Sequence, residues 1–361
     1  MTSPANDQHA QSISALGLVA MLTTLFAWTA SPLLNRFFAE YIDVWNLNGW
    51  RYAMAALCWL PLILWRLTSR TMPAGVWKAA LLPAVFNSVG QVAFAYSFYF
   101  TDATTVAFAL RVQLIAVAVG GAVFFAGERR VIRDPRFLGG MILVAIGVSG
   151  YLLLAPDAPA SDAPSGDNTA LGFALGAIAG AVFGFYALAV RPMMKTTGPM
   201  LSYAVISLYT AVAMVALMLT LSPGHGSEAV TDLTPKLFGL LVVSAVVSLV
   251  IGHPCYYTAI RALGVSATAA VLQLQPISVG VASIAMFTLT ANASFETPTN
   301  LWQWCAGLVA IASAIFMLRV QHRLAKRDRA HAHARAHDPP GAPAQQDFEE
   351  DHTPVETADV R

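Results

Sequence analysis

The chain has 361 residues, 57% of them hydrophobic and 11% charged, where a soluble domain has roughly 45–50% and about 25%. With a mean hydropathy of +0.59, apolar segments must fill most of the length, which excludes a soluble enzyme and a nucleic-acid binder. The formal net charge of +1 supplies no global field for acidic partners, so the placement of the 21 Lys and Arg residues carries the information.

A membrane-spanning helix needs about 20 mostly apolar residues. Cutting the chain wherever polar or turn residues interrupt such runs gives ten segments, at about 13–34, 45–68, 77–100, 103–125, 136–155, 169–190, 199–221, 236–259, 262–290 and 299–320. The fold class expected is an all-α integral membrane protein whose helices form two five-helix halves, 13–155 and 169–320. A Pro-, Ala-, Ser- and Asp-rich linker over 156–168 joins them, and a short tail over 1–12 precedes the first. That tail carries no Lys or Arg, so the basic n-region of a cleaved signal is missing and the first span is expected to be retained.

Basic residues set the orientation. Arg66, Arg70, Lys78, Arg129, Arg130, Arg133, Arg136, Arg191, Lys195 and Arg261 fall on one side, while the other has only Arg36 and Lys236 beside Asp102, Asp157, Asp162, Asp167 and Glu296. The expected outcome is two cytoplasmic termini, as an even number of spans requires. The segment 321–361 turns polar and low in complexity and reads as a disordered cytoplasmic tail. Its His331, His333 and His337 read as solvated residues, so no metal site and no cofactor is expected. Cys58, Cys255 and Cys305 lie in apolar runs and read as small buried hydrophobes.

The halves repeat. Val106 to Gly120 lies over Thr268 to Ala282 without a gap, matching Leu110, Gln113 and Ile115 to Leu272, Gln275 and Ile277, and upstream Gln91 to His253 and Phe94 to Tyr256. With an odd number of spans per unit, the second half enters the membrane in the opposite sense, which is an inverted repeat with its binding site near the midplane.

Four features stand out: the aromatic-then-basic ends of the leading spans ("FAWTASPLLNR", "FGFYALAVRPMMK"), Trp50-Arg51 opening the second span, the starts "TDATTVAFAL" and "GVSATAAVL" of the fourth and ninth, and "LQPI" within the ninth. In this order the chain resembles the drug/metabolite transporter superfamily, in its bacterial EamA-type ten-helix branch. Glu128, and less cleanly Glu296, stand where the family closes those helices. Leu114 stands in the first half where the second has Pro276, so a kink is expected in the ninth helix and not in the fourth. The resemblance implies a secondary transporter of small metabolites, amino acids or related compounds, often outward, in the bacterial cytoplasmic (inner) membrane.

No Asp or Glu falls within a predicted span core, so the intramembrane ionisable groups are Arg51, Arg111 and His253. Arg51, near a span end, is expected to snorkel to the interface. Arg111 lies about nine residues into its span, roughly 13 Å deep, and is expected to face a polar cavity and hold an anionic group of a small-molecule substrate. A neighbouring carbonyl or Gln would serve it as well. His253, followed by the helix-disrupting Pro254, reads either as a hinge or relay or as a neutral ring bonded to a carbonyl. Asn87 and Gln91 share one face of the third helix and line a cavity or a helix interface. Gln273 and Gln275, like Arg111 and Gln113, point about 200° apart, so one of each pair lines the pathway and the other bonds a neighbour. Trp28, Tyr186, Tyr256 and Tyr257 read as aromatic cavity walls or as packing. Gly172, Gly176, Gly180 and Gly184 form a small-residue stripe for close packing, within the bundle or in a homodimer.

The leading function is alternating-access transport, with the lipid bilayer as its surroundings. A membrane-embedded enzyme needs paired carboxylates, a His cluster or a nucleophile with a base, and none is visible. A scaffold or sensor needs no central cavity for its buried polar groups. No Walker-type loop supports ATP-driven transport within the chain.

Overall fold

A computed structural model describes residues 15–124, 129–155, 168–263 and 265–337, and they form helices joined by short links. Glu128 and the linker up to residue 167 lie outside the described residues. The helices are α1 (Ala15–Phe38), α2 (Val44–Thr68), α3 (Val76–Ser97), α4 (Ala103–Ala109), α5 (Val112–Phe124), α6 (Arg129–Arg133), α7 (Pro135–Leu153), α8 (Thr169–Thr196), α9 (Pro199–Leu221), α10 (Glu228–Thr231), α11 (Pro235–Ala245), α12 (His253–Leu263), α13 (Val265–Leu272), α14 (Gln275–Thr290) and α15 (Leu301–His337). A π-helical segment, Val246–Gly252, joins α11 to α12. Among the described residues nine helical stretches are long and apolar enough to cross a membrane, the three interrupted ones, Ala103–Phe124, Pro235–Leu263 and Thr268–Thr290, counted once each. The 25-residue α2 has the length to cross but falls outside that set, because Asn46, Asn48, Arg51 and Arg66 dilute its apolar residues.

Leu22, Phe26, Leu57, Val85, Ile146, Val212 and Leu289 are exposed on the outside of the bundle. So many large apolar side chains facing outward belong against lipid rather than water. Cys58 and Cys305 are on that exposed surface and Cys255 is half-buried, so only the last approaches the buried setting expected from the sequence.

Helix starts follow from capping. Asp102 of "TDATT" accepts from the Thr104 and Thr105 N–H groups at 2.8 and 3.0 Å, satisfying two donors that a helix leaves open. Asp134 does the same ahead of Pro135, which suits the first helical position because it lacks an N–H. At the other end α15 continues to His337, so residues 323–337 are helical where the sequence suggests a disordered tail. Ala and Arg dominate that stretch, and their helix propensity carries the backbone on past the apolar region.

The helices before and after the linker interlock: α8 packs on α3 and on α4 and α5, and α1 on α12, the π segment and α14. The second helices, α2 and α9, lie against one another. The glycine stripe works inside this arrangement: Gly176 faces Ala109, Gly180 faces the Leu110 backbone, and Gly184 faces Ala116 and the Gln113 carbonyl. The stripe is covered within the chain.

At the start of α2, Asp43 caps the helix through the Trp45 and Asn46 N–H groups, and its Oδ2 also accepts from Asn46 Nδ2 at 2.7 Å and Ser222 Oγ at 2.9 Å. Glu228 of α10 accepts from the same Asn46 amide at 2.7 Å. The hydrogen bond to Asp43, then burial and the Asp43 charge, raise the Glu228 carboxyl above its ordinary 4.5. Burial would raise Asp43 too, but its bonds to Glu228, Asn46 and Ser222 outweigh that and hold it below its ordinary 3.8. The Asp43 contribution is therefore present above 3.8 and lost as pH falls through its lowered value, while that of Glu228 is present below 4.5 and lost as pH rises through its raised value. At neutral pH two carboxylates face each other. Glu228→Gln is expected to tighten this loop by up to about 1 kcal/mol at pH 7–8, a small gain because Glu228 is only half-buried and water screens its charge. Fluorescence of Trp50, whose indole N–H donates to the Gly226 carbonyl at 2.8 Å, reports the difference. Identical profiles for wild type and variant from pH 4 to 8 would refute the coupling.

Candidate functional site

The site begins where two spans break. After Ala109 the backbone tightens: Arg111 N–H bonds the Phe108 carbonyl and Gln113 N–H the Leu110 carbonyl, each at 3.0 Å. The Ala107 carbonyl thereby loses its usual donor, and Arg111 Nε supplies one at 3.2 Å. The other half breaks in the same way. Gln273 N–H shifts to the Ala270 carbonyl at 3.2 Å, and Gln273 Nε2 takes up the freed Ala269 carbonyl at 3.2 Å. Residues 107 and 111 lie over 269 and 273 in the repeat, so matched side chains replace matched backbone donors. The fourth span breaks despite Leu114, which corrects the expectation of a kink in the ninth alone: a side chain able to satisfy the freed carbonyl serves as well as a proline.

The two breaks meet. Arg111 Nη1 donates to the Leu272 carbonyl at 3.0 Å and Nη2 to Gln275 Oε1 at 2.9 Å, while Gln275 Nε2 donates to the Trp28 carbonyl at 2.7 Å. Arg111 is buried, and its guanidinium joins both broken spans and, through Gln275, α1. Of the alternatives left open by the sequence, carbonyls and a Gln are what surround it. Gln273 is buried on its own helix, its Oε1 without a partner among the described residues.

A second polar group gathers around Arg51, which is 2% exposed and does not snorkel. Its Nη2 donates to Ser248 Oγ at 2.6 Å and Ser31 Oγ at 3.4 Å, and its Nη1 donates to Asn35 Oδ1. Depth along α2 alone suggests a reachable interface, but α1 and the π segment close over the side chain. Ser248 in turn donates to the Ser244 carbonyl.

Aromatic rings make the third group. The His253 ring stacks on Tyr203 at 4.4 Å between centroids and meets Trp28 edge-on at 5.2 Å, and Trp28 lies 4.8 Å from Tyr256. The Tyr186 and Tyr257 hydroxyls bond at 2.8 Å. The π segment ends at Gly252, so the residue before Pro254 is delivered into this stack by a widened turn that tolerates the missing proline N–H. Among the described residues no hydrogen-bond partner is seen for the His253 ring, in contrast to the carbonyl-bonded reading.

Asn87 sits at a helix interface, and Gln91 is buried one turn further along α3. Asn87 Nδ2 donates to Thr210 Oγ1 at 3.0 Å and to the Tyr52 hydroxyl at 3.4 Å, and the Gln91 carbonyl accepts from Asn48 at 3.2 Å. A cavity of about 460 Å³ opens between the starts of α1 and α9 and the length of α12, lined by Leu16, Met200, Pro254, Thr258 and Arg261 among others. Pro254, on its wall, is next to His253. Sequence reasoning singles out Arg111, His253, Trp28 and Tyr256, which the structure places around the breaks and the ring stack, but not Ser31, Asn35, Tyr203 or Ser248. The four-residue spacing of Ser31 and Asn35 on α1 is the signal that could have found two of them.

Comparison with known proteins agrees with this architecture. Residues 15–153 match the EamA-like transporter family. A crystal structure of a protein described no further has 18% sequence identity over 88% of this chain and 99% of its own, with a TM-score of 0.52, a likeness of fold. No curated protein matches the chain.

Proposed function

The chain is of the EamA type of the drug/metabolite transporter superfamily by its match over residues 15–153, and on that premise we propose that this multi-pass membrane transporter moves a small metabolite by alternating access. The reading includes ten spans in two inverted five-helix repeats, with α2 as the tenth, both termini cytoplasmic, and export of an amino acid or related compound across a bacterial inner membrane. The observation that carries it is the pair of facing breaks: broken spans crossing near mid-membrane, each with its freed carbonyl met by the matching side chain, are the construction on which midplane sites are built. The cavity beside Arg261 is then the cytoplasmic mouth, since Arg261 and Arg191 lie at the basic end of the bundle. The described spans hold no Asp or Glu, which favours transport without a membrane carboxylate relay over an embedded acid–base enzyme.

Reporter fusions at Asp162 and Gln346 are expected to report opposite sides of the membrane; the same side for both would sink the ten-span topology. Untargeted metabolite comparison of cells with and without the protein, followed by counterflow in proteoliposomes, is expected to show a small metabolite depleted from expressing cells. No solute moving in either assay, at normal membrane abundance, would refute transport.

A further inference from the structure

Among the described residues two guanidinium groups are buried, and they are not in the same condition. Arg111 makes three hydrogen bonds, to Ala107, Leu272 and Gln275, that tie two broken spans together. Arg51 has Nε without a hydrogen-bond partner among the described residues, and so has the Nδ2 of Asn35, the residue that holds its Nη1. Asn35 is 0% exposed. The hydrogen bonds of the Arg51 guanidinium go to Asn35, Ser31 and Ser248, with no carboxylate among these partners. A buried cation is stable only when paired or well solvated, and a buried donor left unmade costs free energy. A cation and two donors in one neighbourhood call for an acceptor carrying negative charge.

The apolar surroundings define the rest of that ligand. Ser248, which accepts from Arg51, belongs to the π segment that runs into His253, and His253 stacks on Tyr203 and meets Trp28, which lies against Tyr256. Pro254, next to His253 in the chain, is on the wall of the cavity. We propose that Arg51 and Asn35 bind the anionic group of the transported compound, most simply a carboxylate, while the Tyr203–His253–Trp28 column receives an apolar, ring-bearing body. The inference rests on the transport reading and names the substrate class for it: organic anions and zwitterions rather than cations. Arg111, the deeper residue by sequence, is then a structural clamp.

The test uses the full chain in nanodiscs and three compounds sharing a ring and differing in charge: phenylacetate, phenethylammonium and 2-phenylethanol. Phenylacetate is expected to raise the thermal midpoint in the millimolar range, and the other two to leave it within about a degree. Asn35→Asp keeps the acceptor for Nη1 and places a carboxylate beside Arg51, so it is expected to raise the ligand-free midpoint and weaken phenylacetate binding tenfold or more. Arg51→Lys, which keeps the charge and loses Nε and the planar fork, is expected to weaken binding about tenfold and decides the matter should Asn35→Asp not accumulate. Stabilisation by the amine as strong as by the acid, no stabilisation by any of the three, or wild-type affinity in either variant would overturn the proposal. Phenylacetate binding that depends on Arg51, with no anion exchanged in counterflow, would instead defeat the transport reading and leave the anion site standing.

Discussion

Arg111→Ala is expected to cost about 2–5 kcal/mol of stability. Three hydrogen bonds from a charged donor are lost, at about 1.5–3 kcal/mol each, and the relief of no longer burying a guanidinium, about 2.5–3.5 kcal/mol on insertion scales, offsets part of that. The bonds win because their acceptors, the Ala107 and Leu272 carbonyls and Gln275 Oε1, stay buried after the donor is gone. Arg111→Gln is expected to fall between: like Gln273 on Ala269, its amide still reaches the Ala107 carbonyl, but the bonds between breaks disappear. Thermal unfolding in nanodiscs orders the three proteins. A glutamine variant as stable as wild type would show that the clamp contributes little.

Gly180→Leu should prevent accumulation of folded protein. A Cβ at Gly180 falls 2.7 Å from the Leu110 carbonyl oxygen and 3.0 Å from its Cα. Those are backbone atoms at the break itself and have no rotamer through which to retreat, so the cost exceeds the usual 1–3 kcal/mol of overpacking. Gly139, where an added Cβ would meet no atom within 4 Å, is the control: Gly139→Leu is expected to insert normally. Size-exclusion profiles after membrane extraction separate the two, and a monodisperse Gly180→Leu would show that the close approach is dispensable.

Much of the framework is readable in the chain because it depends on local chemistry. Asp102 announces a helix start, Pro254 a disturbed turn, and the run Gly172 to Gly184 a close contact. What the glycines touch is not readable, since a stripe looks the same whether its partner is in the same chain or another copy. The site is less legible for the same reason. Depth along their own helices ranks Arg51 and Arg111, yet, apart from Ala107, the partners named for them come from residues 16 to 197 positions away in sequence, Asn35 and Ser248 for one, Leu272 and Gln275 for the other. Residues 111 and 273, which the sequence comparison sets one over the other, both stand at a break, although one is a cation and the other an amide.

The widened winding over Val246–Gly252 has a mechanical meaning of its own. A π turn is an α-helix holding a surplus residue, and in an α-helix each residue accounts for about 100° of rotation and 1.5 Å of advance. Were the surplus passed along the backbone toward Leu263, each residue it passed would swivel by that angle like a key in a barrel. His253 would leave Tyr203, Tyr256 would leave Trp28, and the Arg261 end of the same rod would turn with them. One peptide's worth of slack, placed just ahead of a proline, is thus enough to change which face of α12 the rest of the bundle sees.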